Sequence, residues 1–152
     1  MFKYLDWYGP TSVAHAKEVI ATWNDWYAHQ RIIRWGIVLK ATHQLIGTIF
    51  FCDFVGESRA DIGYDLAQAW WNQGIITEAL GIVIPFGVHA LELHRIQAIV
   101  NPANSASIRV LKKAGFMEEG HLCAYEYHYV RKDFNDVLIL SLLRQEYGKE
   151  VS

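Results

Sequence analysis

Ala60-Asp61-Ile62-Gly63-Tyr64-Asp65-Leu66, followed three residues later by Trp70-Trp71-Asn72-Gln73-Gly74-Ile75-Ile76-Thr77, decides how this chain is read. Ala60, Ile62, Tyr64 and Leu66 alternate with Asp61, Gly63 and Asp65. That is the period-two pattern of a strand with one apolar face and one polar, sparsely filled face. Trp70 to Gly74 then turns the chain into a helix. The first turn of a helix leaves its N–H groups unpaired and aimed at whatever lies beyond. A strand, a tight glycine turn and a helix N-terminus thus make an anion site by geometry. Taken alone, the same residues also fit an ordinary helix start.

Downstream, the spacing predicts a helix over 74–91. Ala79, Ile82, Val83, Phe86 and Ala90 line one side, and Leu80, Ile84, Val88 and Leu91 fill the other. A helix apolar nearly all round is expected to be deeply buried. Pro85 removes one backbone hydrogen bond and crowds the carbonyl of Gly81, so a kink rather than a break is expected. A short buried strand over 95–100 leads to a helix over 104–114, closed by Gly115 in the left-handed C-terminal position. Strands over 116–129 and 135–143 follow. Upstream, Thr11 and Ser12 can cap a helix reaching about residue 29, with Val13, Ala16, Ile20, Trp23 and Tyr27 on one apolar face. Strands over 34–40 and 45–54 flank the polar turn Ala41-Thr42-His43-Gln44. The strand–helix–strand crossover requires two parallel neighbours. The expected fold is α/β (α+β), with a mixed, mostly antiparallel central sheet and helices on both faces.

The chain has 152 residues, 52% hydrophobic, 14% aromatic and 20% charged, with a net charge of −2. A single domain over 1–152 is expected, long enough to bury a core without disulfides. The composition excludes a disordered tail, and bulk attraction to nucleic acid or an anionic membrane is not indicated. The opening residues 1–5 lack a secretory core, and the longest apolar run, 80–88, is too short to span a bilayer. A cytoplasmic protein with Cys52 and Cys123 as reduced strand or core residues is expected. No HExxH pattern or Cys/His spacing marks a metal site, so none is expected. Nucleophile-elbow and Walker patterns are absent too.

A second constellation, Asn101-Pro102-Ala103-Asn104-Ser105-Ala106-Ser107, follows the strand over 95–100. Ligand clefts form at such strand ends. Asn104 can cap the next helix, and Ser107 lies one turn inside it. A cap and a surface serine fit equally well.

Asp61 to Tyr64, Trp70 to Ala79, Leu93 to Ile96, Asn101-x-x-Asn104-x-x-Ser107 and Lys113 to Phe116, in that order, resemble the GNAT superfamily of acyl-CoA N-acetyltransferases. The closest branch is the RimJ/RimL type, the ribosomal-protein N-terminal acetyltransferases and their relatives. The resemblance runs from about residue 3 to 147. It implies acetyl-CoA as cosubstrate, with the pyrophosphate held by Trp71, Asn72, Gln73, Gly74, Ile75, Ile76 and Thr77. It implies pantetheine pairing with the backbone of Tyr64, Asp65 and Leu66, a contact from Asn104, and Ser107 near the sulfur as a general acid. Asn72 stands where the branch usually has Gly, Gln73 where Lys or Arg is common, and Ile76 where Ala or Gly is usual. The backbone donors do not depend on those side chains. The match begins after the family's usual first strand and short helix, so an uncovered strand edge and a homodimer are expected.

The chemistry implied is direct transfer to a primary amine, either a protein N-terminus or a small molecule. A non-catalytic acyl-CoA-sensing or protein-binding module is the alternative on the same fold. The amine must be neutral to attack, so a base must take its proton. Asp61, on the polar face of the cofactor strand, is the first candidate, against a merely solvated carboxylate. Asp65 and Glu119 are weaker ones. Tyr125, Tyr127 and Tyr129 alternate on one face and are expected to pack in the core, or else to wall the acceptor site or supply the acid. Arg109 leads the candidates for the 3′-phosphate of coenzyme A, with Arg31, Arg34, Lys112 and Lys113 as further cations. Glu78 suits the dipole of the first helical turn.

Overall fold

A computed structural model describes residues 9–56, 58–129 and 131–148. The residues read for a leader, 1–5, and the first few positions of the family match lie outside the described residues. Helix α1 (Val13–Ala28) is capped by Ser12, whose side chain accepts from the His15 N–H. Three strands follow: β1 (Ile32–Val38), β2 (Leu45–Val55) and β3 (Arg59–Leu66). Helix α2 (Ile75–Pro85) leads to β4 (Arg95–Val100), α3 (Ser105–Lys113), β5 (Met117–His128) and β6 (Asp133–Leu143). The sheet order is β1-β2-β3-β4-β6-β5. Its one parallel pair is β3 with β4, as the crossover requires.

Cross-strand partners share a face of the sheet, which sorts the layers. Trp35, Ile49 and Tyr64 lie on one face, as do Phe51, Ile62 and the core partners of β4 and β6. The chain after α2 packs there: Trp35 meets both Phe51 and Phe86 edge to face, at 6.1 and 5.4 Å. Leu111 of α3 belongs to the same cluster. The opposite face carries Arg34, Phe50 and Gly63 in register. There the Arg34 guanidinium lies 4.3 Å from the Trp23 ring of α1 and 3.9 Å from the Phe50 ring. Helices therefore cover both faces.

Pro85 does not break its helix. The turn after it widens from α to π over Phe86–Ala90, with Leu91 N–H donating to Phe86 O. A π turn absorbs an irregularity in the hydrogen-bond ladder. Two burial expectations fail. The predicted apolar face of α1 is only partly covered: Ala16 and Trp23 are half-buried, but Val13 is 76% exposed, Ile20 and Tyr27 are exposed too, and no residue of the helix is buried. Helix α2 buries Leu80, Val83 and Ile84 but leaves Ile82 68% exposed. One side of α2 faces the sheet and the other faces solvent, so apolar composition overstated its burial.

A Cβ at Gly87 would sit 2.7 Å from Phe51 Cζ and 3.0 Å from Ile96 Cδ1. Gly87→Val therefore overpacks the helix–sheet contact and is expected to cost about 1–3 kcal/mol. A thermal melt checks this, and an unchanged melting temperature would refute the close packing.

Candidate functional site

The pairing of β3 with β4 covers only Arg59↔Arg95, Ala60↔Ile96 and Asp61↔Gln97. Beyond it, β3 stays paired to β2 as far as Leu66↔Gly47, and β4 to β6 as far as Val100↔Leu138. The two inner strands part, and a cleft of about 1250 Å³ opens at the gap. Residues 70–77, the 104–107 turn, and Asp61 through Leu66 all line it. The two constellations of the sequence are thus brought to one place, at the C-terminal ends of two parallel strands.

At one end stands the start of α2. Gly74 takes φ +78° and Asn72 φ +59°. Asn tolerates the left-handed region better than most residues, which is why it can replace a glycine in this turn. Gly74 O accepts from the Glu78 N–H, so the N–H groups before it have no partner inside the helix. A Cβ at Gly74 meets nothing within 4 Å, so glycine is required there by its φ rather than by lack of room. Gln73 does not reach outward. Its amide donates to Ala69 O at 3.1 Å and stiffens the turn. The Trp71 indole donates to Leu66 O at 2.8 Å. One lone pair of the Leu66 carbonyl is therefore engaged, and the other remains for a further donor. Ile75, Ile76 and Thr77 line the cleft, with Ile76 also packed against the core.

Across the gap, Asn104 caps α3 by accepting from the Ser107 N–H at 3.2 Å. The Ser107 Oγ lies 2.5 Å from the Tyr64 hydroxyl. This contact joins β3 to α3 over the part of the sheet where backbone pairing has ended. Burial pushes the Tyr64 hydroxyl up, so it stays protonated. The sequence placed Tyr64 at the site by its backbone only. Its hydroxyl partnership with Ser107 depends on residues 43 positions apart.

Asp61 is buried, 9% exposed, so the reading as a solvated carboxylate is set aside. Burial raises its pKa, opposed by a Gln97 hydrogen bond and by the charges of Arg59 and Arg95; Asp53 raises it further. Its Oδ1 has no hydrogen-bond partner. A carboxyl held in this way is a better base than an exposed one. Asp65 is differently placed. Thr48 donates to its Oδ2 at 2.6 Å, and Arg34 lies 3.7 Å away. Glu119 does not line the cleft. Arg95 and Ser141 both donate to it and push its carboxyl down to about 2, so it is no base.

Of the cations considered, Arg109 and Lys113 line the cleft. Arg34 is engaged between rings on the α1 face, and Lys112 pairs with Glu118 at 2.8 Å. Tyr125, Tyr127 and Tyr129 are exposed rather than in the core, a correction. Strand β5 lies at the sheet edge, and only Tyr127 of the three reaches the cleft. Sequence reading passed over Asp53, Glu126, His128 and Phe50, which also line the cleft. An Asp inside the apolar run Phe50-Phe51-Cys52-Asp53-Phe54 was the available signal. It marks a bulge, where Asp53 takes φ +50°. The structure also gathers His121, Cys123 and Asp136 within 4.8 Å, a grouping their spacing did not reveal. Asp136 there already accepts from Ala124 N–H and pairs with His121 at 3.0 Å.

A model of the acetyltransferase (GNAT) domain family matches residues 1–117. The chain is 38% identical over 147 residues to a Bacillus licheniformis protein named as an uncharacterized N-acetyltransferase, p20. That match covers 96% of this chain and 82% of the relative. Among solved structures, Mycobacterium smegmatis RimJ in complex with CoA-disulfide superposes with a TM-score of 0.81 at 28% identity, covering 91% of this chain and 65% of that one. The ribosomal-protein-S5-alanine acetyltransferase of Vibrio fischeri gives 0.77 at 25% identity, covering 90% and 74%.

Raised above its unfolded value, the Asp61 pKa makes the folded state hold its proton longer than the unfolded chain. Stability from this group falls as pH rises from the unfolded pKa through the folded one. Asp61→Asn is therefore expected to melt higher than the parent at pH 7.5, with the gain vanishing near pH 4. Paired melts at the two pH values check it, and a gain independent of pH would contradict the burial argument.

Proposed function

This chain belongs to the GNAT acetyltransferase family, and we propose that it works as one domain that transfers the acetyl group of acetyl-CoA to a primary amine. The observation that carries this reading is the parting of β3 from β4 in front of the free N-terminus of α2. An anionic pyrophosphate suits the unpaired N–H groups and positive dipole end at Gly74 to Thr77. Arg109 and Lys113 add charge on the neighbouring helix. The unpaired inner edge of β3, at Gly63 to Asp65, suits the amide-bearing pantetheine arm. A thioester delivered along that edge ends near Ser107 and Asp61.

In the proposed reaction the amine, made neutral by loss of a proton to Asp61 through a water, attacks the thioester carbonyl. A C–N bond forms, and backbone N–H groups of β3 stabilise the oxyanion. The C–S bond then breaks as the oxyanion collapses, the departing thiolate takes a proton from the Ser107 hydroxyl, and Ser107 regains one from the positively charged amine nitrogen by way of the Tyr64 hydroxyl 2.5 Å away. Two copies are proposed to associate through the uncovered β5 edge, where Tyr125 is exposed, with Tyr129 and Phe134 exposed at the adjoining β5–β6 turn. Light scattering showing only monomer would reject that.

The first test is a melt with and without excess acetyl-CoA, with adenosine diphosphate as control. At 100-fold over the dissociation constant, a ligand of the folded state adds about 2.7 kcal/mol, a rise of several degrees. No rise specific to acetyl-CoA would remove the cofactor site. A rise with no thiol release from any amine would favour a binding module instead.

Ser107→Ala is expected to lower kcat at least tenfold while the dissociation constant for acetyl-CoA changes little. Single-turnover kinetics with calorimetry separate the two, and an unchanged kcat removes Ser107 as the acid.

A further inference from the structure

Outside the cleft, the last two strands carry a second group of reactive side chains. His121, Cys123 and Asp136 offer a ring nitrogen, a sulfur and a carboxylate oxygen within 4.8 Å of one another, and all three residues are exposed. None of them lines the cleft. His121 and Cys123 belong to β5 and Asp136 to β6. Their spacing carries no metal signature because the third group comes from the next strand.

The backbone explains why they meet. Strands β5 and β6 pair through His121↔Leu138 and Leu122↔Val137, and the register then slips before Glu126↔Asn135. One more regular step would set Cys123 opposite Asp136, on the face that His121 shares, since side chains two apart point to the same side. Cys123, Ala124 and Tyr125 thus stand against Asp136 alone. Ala124 takes φ +48°, and its N–H donates to Asp136 Oδ1 at 2.8 Å. That bond fixes one carboxylate oxygen and leaves Oδ2 facing His121 Nε2 at 3.0 Å.

The donor set selects the ligand. Imidazole, thiolate and carboxylate together suit Zn²⁺, whereas Mg²⁺ and Ca²⁺ take oxygen ligands. Around a tetrahedral Zn²⁺, nitrogen and oxygen ligands lie about 3.3 Å apart, and sulfur about 3.6 Å from either. The His121–Asp136 pair is already near that spacing, and rotation of the exposed Cys123 side chain can supply the rest. A backbone amide bonded to a ligating carboxylate is the outer support that metal sites use. A bare His–Asp pair accounts for two of the three groups and gives the thiol beside them no role.

We propose that His121, Cys123 and Asp136 bind one divalent cation of the zinc class, leaving a fourth position open to solvent. The S–H bond of Cys123 gives up its proton to solvent as the sulfur–metal bond forms, with no change of oxidation state. The metal replaces the His121–Asp136 hydrogen bond and ties β5 to β6 across the register slip. Tyr127 and Asn135, just beyond the slip, line the cleft, so the clip steadies that wall from outside. The proposal does not depend on the acetyl-transfer reading.

The test uses the full chain, stripped with a chelator and kept under a thiol-free reductant. Co²⁺ is the coloured probe, because a thiolate on cobalt gives a near-ultraviolet charge-transfer band. The band is expected to saturate at one equivalent and to disappear on adding Zn²⁺, but not on adding Ca²⁺ or Mg²⁺. Cys123→Ser is expected to abolish it, while Cys52→Ser leaves it intact. Asp136→Asn and His121→Gln are each expected to weaken Zn²⁺ binding at least tenfold in calorimetry. These ligands are exposed, so substituting them is not expected to unfold the chain. At about 100-fold over its dissociation constant, Zn²⁺ is expected to raise the melting temperature of the parent by several degrees and not that of Cys123→Ser. The proposal is overturned by the absence of a band, by a band that survives Cys123→Ser or is lost with Cys52→Ser, or by an equal rise in both melts.

Discussion

The parallel pairing of β3 with β4 runs through Asp61 and Gln97 and then stops. Each strand continues on its outer neighbour, so the sheet stays continuous at one end and forks at the other. Backbone groups on a forked edge need partners, because a buried and unpaired amide is costly. A ligand with its own amides can supply them. The Tyr64–Ser107 contact bridges the fork by side chains and ties α3 to β3 where the ladder cannot. The site is therefore a consequence of an interrupted sheet, with a helix start on one flank and a capped helix on the other.

The position of that helix start depends on packing farther back. Phe51, wholly buried, reaches toward Gly87, and Trp35 contacts both Phe51 and Phe86. This contact fixes the far end of α2 and its π turn on the sheet. The N-terminal end is held by the turn itself, through Trp71 to Leu66 and Gln73 to Ala69. Residues that look like ligand contacts in sequence thus act partly as internal braces. The bracing leaves backbone N–H groups, rather than the Gln73 side chain, as the donors of the turn.

Charges of both signs line the same cleft: the start of α2 and the α3 cations Arg109 and Lys113 share it with the carboxylates of Asp53, Asp61 and Asp65. Burial changes what a carboxylate can do. Glu119, bonded by Arg95 and Ser141, is a fixed anion, whereas Asp61, buried and half-satisfied, is held closer to its neutral form. The two acids are alike in composition and opposite in chemistry, because hydrogen bonds lower a carboxyl pKa and desolvation raises it.

The sequence by itself determined the element order, the crossover, the glycine-closed helices, and the two segments that meet at the cleft. Those features follow from interactions a few residues long: alternation along a strand, a cap at Ser12 or Asn104, a left-handed glycine at 74 or 115. Only the tertiary structure decided which apolar faces are covered, and so much of the α1 face and the tyrosines at 125, 127 and 129 turned out exposed. It alone paired Tyr64 with Ser107, gave the Leu66 carbonyl its indole donor, withdrew Glu119 from base chemistry, and set Asp53 beside Asp61. Burial, desolvation and charge pairing are sums over neighbours from distant parts of the chain, and no local pattern encodes them.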